Sequence, residues 1–302
     1  MVKMSEILKA ETRDWGALIL RVGLGLVFVI GGANKLGQLL NAATHDGLVA
    51  KYTGAAGYIN GFFLDFLFSG RFGDWLSPSA FLTALSSFEL ISGILLVVGL
   101  AVRPLSLIYA FLLWTFVMSL PVATTPGIAV DVSTYQSPAM LVQIRDIGLS
   151  GMMFVLFNLG AGIHSLDRRL GFEDTDREIA GWDNLGLLLR LSVGVIMIVG
   201  GAFAGGDHIQ SFATSGWILL LLGVLLVSGH GVRLAGGAVI GVMLWYMAAK
   251  LDLDKSLIGN LNGIKREFAI MAAAGLLVWR GGGGRFTFVG LIRSVQGLFA
   301  SR

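Results

Sequence analysis

Four ionisable side chains stand in or beside stretches apolar enough for a lipid bilayer: Lys35, Glu89 and the neighbours Arg145 and Asp146. A lone charge at the centre of a spanning helix costs about 2.5–3.5 kcal/mol on insertion scales, so such residues are expected in pairs or around a polar pocket. Lys35 follows Arg21 by fourteen residues, and Glu89 precedes Arg103 by fourteen. Fourteen helical residues rise about 21 Å. If the two arginines mark the inner membrane boundary, Lys35 and Glu89 share a depth and pair. Arg145 and Asp146 open a later apolar run at the same outer level and would complete a small polar pocket. In it Lys35 and Arg145 would bind an anionic substrate. Glu89 and Asp146 would be the catalytic carboxylates, carrying protons as intramembrane acids do in relays. The same four residues could equally form an ion-pair network that fixes helix packing and does no chemistry.

Two aromatic residues, Tyr109 and Trp114, fall mid-way along an apolar run and could stack on a quinone ring; plain packing is the other reading. The chain has no cysteine, which removes disulfides, thiolate metal sites and iron–sulfur ligation from it. The four histidines sit at connections and helix ends, a poor arrangement for a haem held between two of them. No haem, iron–sulfur cluster or metal is expected within the chain, and the only cofactor expected is quinone, as a substrate. The glycines lie inside apolar runs and read as close-packing surfaces, not phosphate cradles.

The elements that must position these residues follow from hydropathy. Of 302 residues, 55% are hydrophobic and 14% charged, with a mean hydropathy of +0.78. A water-soluble core cannot hide that much apolar surface, so the bilayer is the expected solvent. Runs of spanning length fall at 17–36, 80–100, 104–122, 147–163, 185–204, 212–229, 232–250 and 268–280. They predict an all-α membrane protein of eight transmembrane helices. The first sixteen residues carry mixed charge without a cleavage-site pattern, so no cleaved signal peptide is expected. Fourteen of the 22 Lys and Arg residues fall on the side that holds both termini, which predicts a cytoplasmic N-terminus and C-terminus. The basic residues cluster at helix ends and make no nucleic-acid surface. The segment from Gly57 to Phe68 is aromatic, too short to span, and predicts a helix lying in the outer interface.

The two halves resemble each other. LILRVGLGLVFVIGGANKLG (residues 18–37) and LLLRLSVGVIMIVGGAFAGG (residues 187–206) share eight of twenty positions at an offset of 169. Gly93 to Arg103 matches Gly223 to Arg233 at an offset of 130, and Arg145-Asp146 matches Arg266-Glu267 at an offset of 121. The preserved order predicts two parallel four-helix units, residues 1–172 and 185–302, joined by a charged linker at 173–184. At the places of Lys35 and Glu89 the second unit has Ala204 and Leu219, so the pair is absent together.

Three stretches, RVGLGLVFVIGGANKL (Arg21 to Leu36), ELISGILLVVGLAVRP (Glu89 to Pro104) and LGAGIHSLDRRLG (Leu159 to Gly171), resemble signatures of the DoxX/DoxD superfamily. FSGRFGDWLSP (Phe68 to Pro78), ahead of the Glu-bearing helix, is similar to the DoxD branch, which includes the membrane subunit of thiosulfate:quinone oxidoreductase. The resemblance covers residues 15–172. It implies an integral subunit of a quinone-linked oxidoreductase in the plasma or inner membrane, passing electrons from a small anionic donor to membrane quinone alongside other subunits of a complex. The alternative is a non-catalytic membrane anchor or scaffold of a larger respiratory complex.

Overall fold

The computed structural model describes residues 2–55, 57–69, 73–120, 139–172, 180–202 and 215–287, with side chains from Arg13. Every regular element among the described residues is a helix. In chain order these are α1 (Val2–Leu40), α2 (His45–Thr53), α3 (Gly61–Phe68), α4 (Pro78–Val98), α5 (Val102–Ser119), α6 (Ala139–Leu159), α7 (Leu166–Arg169), α8 (Trp182–Ala202), α9 (Gly216–Ser228), α10 (Val232–Lys250) and α11 (Leu257–Arg280). Six of them, α1 (over Arg13–Leu40), α4, α5, α6, α8 and α10, are long and apolar enough to cross a bilayer. The chain is a multi-pass membrane protein.

Two helices differ from the hydropathy reading. The described part of α9 has 13 residues; residues 212–214 of its predicted run lie outside the described residues, as does Ala204 at the end of the preceding run. By contrast α11 has 24 residues and starts well before the apolar run at 268–280. Its first turns carry Asn262, Lys265, Arg266 and Glu267, which hydropathy counts against a span. All four make ionic or hydrogen-bonded contacts inside the bundle, Glu267 being buried. A buried and paired charge no longer pays the cost of facing lipid.

Close packing rests on small residues. A Cβ on Gly32 of α1 would lie 2.6 Å from the Leu90 backbone nitrogen and 2.8 Å from the Ser86 carbonyl of α4. At Gly201 of α8 it would lie 2.4 Å from the Gly216 carbonyl and 2.7 Å from the Leu220 nitrogen of α9. These are the same positions at the offsets of 169 and 130. Helix α1 also packs on α11, and α8 on α6, by one scheme: Gly23 meets Ala272 and the Phe268 carbonyl, while Ser192 meets Gly151 and Gly148.

The ends opposite the Lys35 level are closed by two arginines in near-identical settings. Arg21 donates to the carbonyls of Leu96 (3.3 Å), Val97, Ile163 (3.2 Å) and His164 (2.9 Å). Arg190 donates to those of Leu226 (3.2 Å), Val227, Arg285 (2.6 Å) and Phe286 (3.0 Å). Both side chains are fully buried and bind the last carbonyls of a later helix in the chain, α4 for Arg21 and α9 for Arg190, groups that have no intrahelical donor. Left-handed backbone recurs with them, at Gly99, Ala101, Gly160, Gly162 and His164, and at Gly229, Gly231, Gly281, Gly283 and Phe286. Arg103, the other arginine of the spacing argument, lies at the start of α5 and not on the helix of Glu89.

The charged stretch after α6 is not all linker. Asp167 accepts from the backbone nitrogens of Ala101 (2.8 Å) and Val102 (2.9 Å), and Arg168 pairs with Asp14 at 2.8 Å. Residues 173–179 lie outside the described set, and α8 begins at Trp182, inside the predicted 173–184 linker.

Candidate functional site

Lys35 of α1 and Glu89 of α4 form a buried ion pair. The close approach of α1 and α4 at Gly32 sets it, because the two backbones come near enough for a lysine one turn on to meet the carboxylate. The pair lies on the wall of a cavity of about 380 Å³. Most of the lining is apolar, including Val27 and Phe28 of α1, Leu82 and Leu85 of α4, Leu112, Leu113 and Phe116 of α5, and Leu149 of α6. Its remaining charges are Asp146 of α6 and Lys265 and Arg266 of α11. Arg266 Nε donates to Asp146 Oδ1 at 3.0 Å. The arrangement is an apolar chamber with two ion pairs and a further lysine at one end.

The connection between α1 and α4 closes that chamber. Tyr52 of α2, Tyr58 and Ile59 of the following turn, and Phe63 and Leu67 of α3 all line it. Asn60 fixes the lid to the C-terminal end of α5: its backbone nitrogen donates to the Ser119 carbonyl (2.7 Å) and its Nδ2 to the Met118 carbonyl (2.8 Å). Its Oδ1 accepts from the Phe63 nitrogen at 3.1 Å and so caps α3. Burial pushes the Tyr52 hydroxyl above the ordinary tyrosine range, Lys35 opposing that shift in part. Phe62 and Phe66 point outward from α3 and are exposed, as the interfacial helix predicted for this segment requires.

Residues 16–120 match the DoxX family model. That stretch of the chain is similar to the DoxX family. Members of that family are typically membrane proteins associated with quinone-linked oxidoreductases. The matched stretch holds Lys35, Glu89 and the whole lid, and it ends before Asp146. Comparison with curated proteins and with solved structures finds no match.

Of the residues singled out in the sequence, Lys35, Glu89 and Asp146 meet at the cavity that the matched stretch builds with α6 and α11. Arg145 does not reach it. Its guanidinium turns to Glu267 at 3.9 Å, and it lines a second cavity of only about 30 Å³ in the other half of the chain. Tyr109 is fully buried behind the wall, stacked on Phe28 with ring centroids 3.7 Å apart and bonded to Ser92 at 2.6 Å. Trp114 is 44% exposed and faces a groove between α5, α6 and α8. Neither aromatic lines the main cavity. The sequence reading missed Lys265 and Arg266. Their signal was the match of Arg145-Asp146 to Arg266-Glu267, which placed an arginine of the second half at the level of the first-half pocket.

The small cavity is lined at positions equivalent to those of the large one. Met197 stands at the place of Phe28, Gly200 at Gly31, Leu219 at Glu89, Tyr246 at Phe116 and Glu267 at Asp146. It has lost the acid–base pair's carboxylate and nearly all of its space. The ion pairs between α6 and α11 are reciprocal, Asp146 with Arg266 and Arg145 with Glu267.

Proposed function

We propose that the chain is the integral membrane subunit of a quinone-linked oxidoreductase and that its large cavity receives the quinone head group. The observation that carries this reading is the composition of the chamber: an apolar space of about 380 Å³ with the Lys35–Glu89 and Arg266–Asp146 pairs at its polar end. A quinone has that same division, an apolar ring and tail with polar oxygens. Reducing it consumes two electrons and two protons. The electrons come from a small anionic reductant such as thiosulfate, directly or through other subunits of a complex, since a chain without cysteine holds no thiolate-bound carrier. Glu89 and Asp146 are the carboxylates on the wall and pass the protons, each beside a cation, Lys35 and Arg266 respectively.

Two diverged four-helix units, residues 1–172 and 185–302, support this site as parallel repeats about an axis along the membrane normal. The matched arginine clamps, the matched glycine contacts and the reciprocal ion pairs favour this division. The first unit keeps the working cavity, and the second closes its inner wall with α11. Both termini face the cytoplasm, and the lid faces outward from the plasma or inner membrane.

The test uses the full chain in detergent or nanodiscs with thiosulfate and a short-chain quinone analogue. Turnover is expected from the chain or from the complex it copurifies with, and Glu89→Gln should lower it at least tenfold with thermal stability measured alongside. Turnover unchanged in a folded Glu89→Gln protein would overturn the proton-carrying role. A complex whose activity survives replacement of both Glu89 and Asp146 would leave this chain as its anchor.

A further inference from the structure

The cavity wall carries three cations, Lys35, Lys265 and Arg266, against two carboxylates, Glu89 and Asp146. Lys35 is taken by Glu89 and Arg266 by Asp146. Lys265 has no carboxylate within ion-pair distance among the described residues, and its Nζ donates to the neutral amide oxygen of Asn262 at 2.8 Å. The amine is held across the boundary between halves. A Cβ on Gly31 of α1 would lie 3.0 Å from Nζ, so the missing side chain there lets a lysine of α11 reach the first-half wall. At the position equivalent to Lys265 the first half has Ile144, and the one cation that lines the small cavity, Arg145, is paired with Glu267. An amine without a carboxylate partner is therefore specific to the large cavity.

The geometry points to Lys265 as the anion-binding group of this site, so that its preferred ligand is an amphiphile with an apolar body and one ionised oxygen. An ammonium in an apolar chamber gains more from an anionic oxygen than it would in water, because the surrounding dielectric is low and the hydrogen bond is charge-assisted. The way in suits an amphiphile: Leu85 of α4 and Leu112 and Thr115 of α5 line the cavity at its side, and Thr115 is exposed on the outer face of the helices. For a quinone, the ionised oxygen is that of a hydroxyquinone or of the reduced ring. This inference rests on the quinone reading above but can be separated from it.

Calorimetric binding to the full-length chain in maltoside at neutral pH decides the matter, with the hydroxynaphthoquinone lawsone, an anion at that pH, and its neutral methyl ether as probes. Wild type should bind lawsone about tenfold or more tightly than the ether. Lys265→Met should abolish that preference while still binding the ether, and Lys265→Arg should restore most of it. Equal affinity for both probes in wild type, or an undiminished preference in Lys265→Met, overturns the role of Lys265 and leaves the quinone reading intact. If neither naphthoquinone binds, the quinone reading fails, and decyl sulfate becomes the probe. Binding of decyl sulfate to wild type but not to Lys265→Met sustains the anion site without a quinone, and its failure to bind wild type removes the anion site as well.

Discussion

The pairing of Lys35 with Glu89 is a statement about two side chains that no longer face water. Removing one partner strands the other, which costs about 3–5 kcal/mol for a buried pair, whereas replacing both with apolar groups is often neutral. Lys35→Met and Glu89→Gln are each expected to lower the thermal unfolding temperature in detergent. Lys35→Met combined with Glu89→Leu, the leucine that the second half carries at Leu219, should recover most of that loss while ligand binding stays absent. A double variant as unstable as the worse single one would show that the two are not coupled. Tyr109 and Trp114 give the opposite expectation. Tyr109→Phe loses the bond to Ser92, about 1 kcal/mol, and Trp114→Ala changes a lipid-facing surface. Both should leave ligand affinity unchanged, since neither touches the chamber; a large drop in either would mean the ring sits elsewhere than on the wall described.

Among the elements, the lid depends on few contacts and is the weakest part of the site. Helices α2 and α3 are short, and α3 has no fully buried residue. Asn60 supplies the cap of α3 and two bonds to the end of α5, where the Ser119 hydroxyl adds one to the Tyr58 carbonyl at 3.1 Å. Asn60→Ala is expected to cost about 1 kcal/mol for the cap, to speed proteolysis within residues 45–69, and to raise the ligand off-rate several-fold with little effect on global unfolding. An off-rate equal to wild type would mean that the lid does not gate the cavity. The aromatic run at Gly57 to Phe68 announced α3 in the sequence, because phenylalanines too few for a span still seek the interface. Helix α2 was not legible there. Its sequence, HDGLVAKYT, has weak amphipathic pattern, and Leu48 is the one residue of it that is fully buried. Its helical state is decided by what it covers, Tyr52 over the Lys35 pair.

At the scale of the whole molecule, orientation is set by charge and the site by the meeting of two halves. The chain has no cysteine, so single introduced cysteines report topology cleanly. Asp254→Cys, on the exposed turn between α10 and α11, should react with a membrane-impermeant maleimide in intact cells. Arg169→Cys, on the opposite side in α7, should react only after permeabilisation. The reverse pattern would overturn the proposed orientation and place the lid in the cytoplasm. The α11 helix also carries a consequence for design. Because it supplies Lys265 and Arg266 to a chamber built mainly by α1, α4, α5 and α6, the first 172 residues alone would leave Asp146 without its partner.

The sequence by itself determined the solvent, most of the spans, the short helix of the outer connection, and the need for Lys35 and Glu89 to neutralise each other. These follow from hydropathy and from the cost of charge in hydrocarbon, which act locally along the chain. Which cation meets which carboxylate on α6 and α11 was decided only by tertiary structure. Successive residues of a helix point about 100° apart, so Arg145 and Asp146, adjacent in the chain, look into different halves, one towards Glu267 and the other towards Arg266 and the chamber. Spacing along one strand of text fixes depth and face, but the partner on that face belongs to a helix more than a hundred residues away, and only packing brings it there.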